Sequence, residues 1–134
     1  MLPVTTGIKI VSYNCRGLRL GHSAGDKAHR FVVDKLLESA DILCLQETFL
    51  AKQDLEKLNS VHKDYHAAGV STTDLSARIL RGRIPGGVAI LWNKRLDSLV
   101  SVIRLEVDWG IAIKVEHNDK AFIILNVYTP YECS

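Results

Sequence analysis

The chain has 134 residues, 47% of them apolar and 24% charged, with 17 basic against 15 acidic side chains and a formal net charge of +2. A chain of that length makes one ordinary domain that hides about two-thirds of its unfolded surface, and its composition excludes a disordered chain. The near balance of charge excludes a protein that captures nucleic acid by bulk electrostatics, so any polyanion site has to be local.

In chain order, Ile8 to Tyr13 reads as a strand that ends in Asn14-Cys15-Arg16-Gly17. Lys27 to Glu38 is predicted as a helix, with Ala28, Phe31, Val32, Leu36 and Leu37 at helical spacing on its inner side and Asp26 or Ser23 as its cap. The unbroken apolar run Ile42-Leu43-Cys44-Leu45 predicts a strand covered on both faces, as parallel strands with a crossover helix are, and makes a βαβ unit. A weaker helix over Lys52 to Asn59, with Leu55 and Leu58 inward, precedes a short strand near Asp64 to Ala68. The stretch 69–85 is polar and punctuated, an expected exposed loop whose tip carries Arg78, Arg81 and Arg83. Gly86-Gly87 opens a buried strand, Val88 to Trp92. Alternation with period two at Val100 and Val102, then Ile111, Ile113 and Val115, then Ile123, Leu125 and Val127, predicts a meander of three strands, with His117-Asn118-Asp119-Lys120 as its last turn.

Cys15, Cys44 and Cys133 are widely and irregularly spaced with no Cys-x-x-Cys pair, which supports neither a disulfide framework nor a thiolate zinc site. Reduced, intracellular cysteines are the expectation, and Cys44 within its apolar strand reads as a small core residue. No signal peptide is recognisable, and no apolar run approaches the roughly 20 residues of a membrane span, so no membrane partner is expected.

Three strand ends carry polar groups toward one rim, where open α/β sheets place their chemistry. Glu47, just past the Ile42 strand, is suited to anchor Mg²⁺, which prefers oxygen ligands and is usually held through one or two carboxylates plus substrate and water. Asn14 is placed to orient that carboxylate or to donate to a phosphate, and Tyr128 offers a phenolic donor. Asn126 and Tyr128, two apart on one strand, emerge on the same face. The three loop arginines are suited to backbone phosphates, giving affinity without reading sequence. Each residue alone also has a structural reading: Glu47 as a solvated charge or helix cap, Asn14 as a turn former, Tyr128 as a half-buried aromatic. His62 and His66 have the spacing of a zinc pair but lack a third ligand nearby.

The joint order of four motifs is more specific. Ile10-Val11-Ser12-Tyr13-Asn14-Cys15-Arg16-Gly17-Leu18, Asp41 to Thr48 containing Gln46-Glu47, Gly86 to Trp92, and Asn126-Val127-Tyr128-Thr129-Pro130 together resemble the endonuclease/exonuclease/phosphatase superfamily. Within it the sequence looks most like the apurinic-type endonuclease domain of non-LTR (LINE-type) retrotransposons, from about Gly7 onward. The resemblance implies an α/β fold, the N-terminal half of a two-sheet α/β sandwich (DNase I-like) with a mixed sheet and flanking helices. It also implies phosphodiester hydrolysis, usually of DNA, with Mg²⁺, or Mn²⁺ in its place. It matches Glu47 to the metal-binding glutamate, Asn14 to the active-site asparagine and Tyr128 to the tyrosine at the scissile phosphate. Asn126, Arg78, Arg81 and Arg83 are carried as substrate-binding residues.

The family's later motifs, of Gly-Asp-Phe-Asn and Ser-Asp-His type, do not occur in the sequence: Gly25-Asp26 is followed by Lys27-Ala28, and no histidine follows His117. Residues 1–134 are therefore expected to form a partial domain that lacks most or all of one sheet and has little turnover by itself. Two other expectations stand beside that one. One is a non-catalytic module that dimerises or binds a partner through an uncovered sheet face; the other is a family phosphoesterase acting on lipids or nucleotides. Nuclear residence is implied for an active element, although the sequence shows no basic import cluster.

Overall fold

The computed structural model describes residues 7–73 and 86–129. A four-stranded sheet has the order β1 (Ile10–Asn14), β2 (Ile42–Gln46), β4 (Val88–Asn93), β3 (Tyr65–Val70), and a three-stranded sheet has the order β5 (Val100–Ile103), β6 (Gly110–His117), β7 (Lys120–Val127). β1 runs parallel to β2 through a helical crossover, which is the expected βαβ unit, while β4 is antiparallel to both β2 and β3. The second sheet is an antiparallel meander. Its β6–β7 turn places Asn118 and Asp119 at φ +53° and +62°, the left-handed pair that matches the twist of a tight hairpin.

Two apolar layers explain the unbroken run in β2. On one face Leu43 and Leu45 join Val33, Leu37, Leu58, Tyr65, Ala89 and Leu91 beneath the helical segments. On the other, Ile42 and Cys44 join Ile90, Trp92, Ile111, Ile113 and Val115 beneath the second sheet. Each fully buried Leu or Ile contributes about 1.5–3 kcal/mol.

The helical region departs from the single predicted helix. It is split into α1 (Ala24–His29), capped by Ser23 Oγ accepting from Asp26 N, and α2 (Phe31–Leu37). The break falls at Arg30, whose buried guanidinium donates from Nη1 to the carbonyls of Arg19 and Gly21 at 2.5 and 3.1 Å, tying the preceding loop to this point. The break resets the helical register. Val33 and Leu37 turn inward, whereas Phe31 and Val32, expected inside, are 59% and 45% exposed. The segment expected as a second helix is a 3₁₀ helix, Lys52–Ser60, with Leu58 buried as anticipated. The second sheet, expected to be largely missing, is present with three strands and covers β2 and β4. It leaves β1 open: Ile10, Ser12 and Asn14, on the face shared with Ile42 and Cys44, are exposed.

Candidate active site

β1, β2 and β4 finish in register at one end of the first sheet, with Asn14 opposite Gln46 and Gln46 opposite Val88. Backbone bonding continues past the strands into three loops. Gly17 N donates to Glu47 O at 2.6 Å, Leu18 N to Thr48 O at 2.9 Å, Thr48 N to Gly87 O at 3.1 Å and Phe49 N to Gly86 O at 2.9 Å. Within this stitched rim Arg16, Glu47 and Phe49 adopt φ of +47°, +55° and +57°, and Gly17, Gly86 and Gly87 are also left-handed. For non-glycine residues that backbone costs about 1–2 kcal/mol each and persists only where the surroundings over-determine it. The strain is concentrated on the loops that present the candidate residues.

Asn14 and Glu47 meet directly. Asn14 Nδ2 donates to Glu47 Oε1 at 2.6 Å, the short distance of a charge-assisted bond, and Asn14 Oδ1 accepts from Arg16 N at 3.1 Å, so the amide is held at both ends. Gln46 Nε2 donates to Ser12 Oγ at 3.0 Å and to Asn126 Oδ1 at 2.8 Å. Asn126 Nδ2 in turn donates to the carbonyls of Leu45 and Ala89 at 3.0 and 2.8 Å. Asn126, expected to contact substrate, is only 3% exposed, and its amide bonds the second sheet to the ends of β2 and β4. Tyr128 follows it, its backbone N–H donating to Trp109 O at 3.0 Å and its half-buried ring packed on the inter-sheet core. The Asn126 bridge brings this end of β7 to the strand that delivers Glu47. Arg78, Arg81 and Arg83 lie outside the described residues.

The two histidines do not pair. His62 Nδ1 accepts from Asp64 N at 3.0 Å, while His66 Nδ1 donates to Asp97 Oδ1 at 2.8 Å. Among the described residues no three His, Cys, Asp or Glu side chains gather to hold a metal ion. Burial pushes the thiols of Cys15 and Cys44 up to about 11, with the nearby Glu47 charge adding to the effect at Cys15, so both stay protonated and are poor ligands. The donor chemistry at the rim suits a hard cation. One oxygen of Glu47 is fixed by an amide, which leaves the lone pairs of the other for an ion that keeps most of its water.

A sequence profile of the Endonuclease/Exonuclease/phosphatase family matches residues 11–131. The chain belongs to this family. No curated protein matches the sequence significantly. Solved structures similar to this family member include the AP endonuclease LMAP of Leishmania major (TM-score 0.60, 16% identity, 90% of this chain and 40% of that one). The catalytic domain of Xenopus laevis APE2 is also similar (0.57, 21%, 92% and 46%), as is the human Nocturnin catalytic domain with bound sulfate anion (0.54, 18%, 88% and 48%). At these identities the likeness shows the fold, a two-sheet α/β sandwich of DNase I type. The chain spans less than half the length of these three structures.

Two features of the site have little sequence signal. Gln46 was visible only as the neighbour of Glu47, yet it links β1, β2 and β7 through its side-chain amide. The left-handed backbone at Arg16, Glu47 and Phe49 falls on residue types that do not announce it.

Proposed function

We propose that this chain carries the metal-anchoring part of a phosphodiester-hydrolase site that acts on DNA, of the kind used by the endonucleases of non-LTR retrotransposons. The observation that carries it is the 2.6 Å bond by which Asn14 orients Glu47 on a strained strand-end loop. In this reading Glu47 holds Mg²⁺ or Mn²⁺, Asn14 fixes the carboxylate, Tyr128 donates to a phosphate oxygen, and Asn126 holds Gln46 so that Glu47 is delivered in register. A bound divalent ion supplies charge stabilisation at the phosphoryl oxygens. Arg78, Arg81 and Arg83 add backbone-phosphate contacts, and nuclear residence follows from a DNA substrate.

General-base catalysis contributes about 10²–10⁴-fold, and the later family motifs that would supply it are absent from the sequence, so the isolated chain should turn over poorly. The test is to fuse the chain to the second half of a family-length domain and follow Mg²⁺-dependent nicking of supercoiled plasmid. The fusion is expected to nick, and the fusion with Glu47→Gln to lose at least about 10²-fold. Full activity in that variant would remove the metal assignment.

One observation favours a second reading, a module that associates through β7. Ile123 and Leu125 are 62% and 57% exposed, beside exposed Val127. An apolar, sheet-edge strand of this kind is a template for pairing. Sedimentation velocity should then show association that rises with concentration and is abolished by Ile123→Lys; a monomer at all concentrations would refute it.

A further inference from the structure

A cavity of about 360 Å³ lies where the loops that follow β1 and β2 meet, lined by residues 16–19, His29, Thr48 and Phe49. One wall comes from the loop after β1, a second from the loop after β2 that also carries Glu47, and His29 at the end of α1 supplies a third. Arg16 N donates to Asn14 Oδ1, and Gly17 N donates to Glu47 O, so the cavity and the carboxylate are parts of one rigid unit. Its volume falls within the roughly 300–1,000 Å³ of small-molecule sites.

The lining is cationic and aromatic. Arg16 forms no ion pair with another described residue, and the Arg19 guanidinium stands 3.9 Å from Asp26 Oδ1, at the limit of an ion pair and largely exposed. His29 Nε2 donates to the Gly17 carbonyl at 3.1 Å, which pins the imidazole to the cavity wall. A Cβ at Gly17, where φ is +103°, would lie 3.0 Å from Phe49 Cδ2, so the glycine lets the loop close against the ring. Two guanidiniums, an imidazole and a half-buried phenyl ring form the donor set for a phosphate attached to a planar base. Guanidinium groups bind phosphate in a fork geometry, and an aromatic ring accepts any unstacked base.

We propose that this cavity is a nucleotide subsite: it seats one unstacked nucleotide of the strand whose neighbouring phosphodiester reaches Glu47, with Arg16 and Arg19 on the phosphate and the base against Phe49. The inference deepens the hydrolase reading and rests on it for the identity of the strand. It assigns Phe49, Arg16 and Arg19 a role in binding that needs no metal.

The test is equilibrium binding of the chain to a 5′-fluorescein-labelled 12-mer oligothymidylate in EDTA, read by anisotropy across a NaCl series. With metal chelated, a failure of the hydrolytic chemistry does not enter the result, and plasmid nicking by the fused domain reports on that chemistry separately. Arg16→Gln with Arg19→Gln is expected to weaken binding at least tenfold and to flatten the log K against log[salt] slope by about 1.4, two single-strand contacts at roughly 0.7 each. Lys35→Gln with Lys57→Gln, the same charge change away from the cavity, is expected to flatten it by less than half as much. Phe49→Leu is expected to weaken binding about 5- to 100-fold, and an oligonucleotide of abasic units should abolish the difference between this variant and the parent. Equal slopes for the two double variants would overturn the proposal. So would an unmodified chain that binds the abasic strand as tightly as oligothymidylate, a comparison that does not depend on how Phe49→Leu folds.

Discussion

Asn14 Nδ2 lies 2.6 Å from Glu47 Oε1 although 33 residues separate the two in sequence. Parallel pairing of β1 with β2 accounts for the meeting. Asn14 stands opposite Gln46, and the left-handed turn at Glu47 swings the next side chain back along the rim toward Asn14.

On the proposed reading, in which Glu47 holds a divalent ion, Asn14→Ala should weaken metal binding without removing the carboxylate itself. Groups that orient a metal-binding carboxylate are worth about 10–100-fold in affinity, and the same loss is expected for Mn²⁺ here, measured by the free-ion EPR signal in a titration. Glu47→Gln should lose more. An Asn14→Ala variant with the parent's affinity would show that the amide does not prepare the carboxylate.

Asn126 is expected to act on folding more than on binding. Asn126→Leu takes the amide donor from the buried carbonyls of Leu45 and Ala89 and removes one acceptor of the Gln46 amide, which keeps Ser12; unsatisfied buried groups cost about 1–3 kcal/mol each, so the two carbonyls set an expected loss of about 2–6 kcal/mol in urea unfolding. Asn126→Asp should be at least as harmful, because both of its carboxylate positions accept and one would face two carbonyl oxygens. Stability unchanged in both variants would mean that this bridge does not hold the sheets together.

Gly86 and Gly87 are adjacent and both left-handed, at φ +64° and +93°, yet they should respond differently to alanine. A Cβ at Gly86 meets nothing within 4 Å, so Gly86→Ala carries only the conformational cost, about 1 kcal/mol. A Cβ at Gly87 would fall 2.3 Å from Thr48 Oγ1, whose residue is 1% exposed and carries the backbone bond to Gly87 O. Gly87→Ala must displace the Thr48–Phe49 turn and is expected to be several-fold more destabilising in thermal unfolding. Equal melting temperatures for the two variants would contradict this packing.

The strands were legible because their signals are local. Period-two alternation marked β5 to β7, and the run Ile42 to Leu45 marked a strand enclosed on both faces, as the two cores around β2 show. The helix over 27–38 was legible in place but not in phase, since the break at Arg30 depends on carbonyls of the preceding loop that no spacing rule contains. Asn14, Glu47 and Asn126 could be named from strand ends and motif order. Their actual partners could not, because the inward turn of Asn126 to Leu45 and Ala89 depends on how the two sheets stack. The cavity was invisible for a similar reason: its walls are drawn from two loops about 30 residues apart and from the end of α1.

At the opposite end of the first sheet, Asp97 Oδ1 accepts from His66 Nδ1 at 2.8 Å and from Trp92 Nε1 at 2.9 Å, tying β3 and β4 to the turn after residue 96. The His66 hydrogen bond, with the Trp92 bond and nearby positive charge adding to it, holds the Asp97 carboxyl below its ordinary value. A carboxylate with a lowered folded-state pKa contributes stability above its unfolded pKa and loses that contribution as pH falls through the folded one. The difference in urea stability between the parent and Asp97→Asn, which keeps an acceptor but removes the charge, should shrink as pH falls below about 4. Because both side chains are over a third exposed, the difference should also shrink with added salt. A stability difference that grows as pH falls below about 4 would reverse the sign and show that Asp97 does not gain from its charge in the folded state.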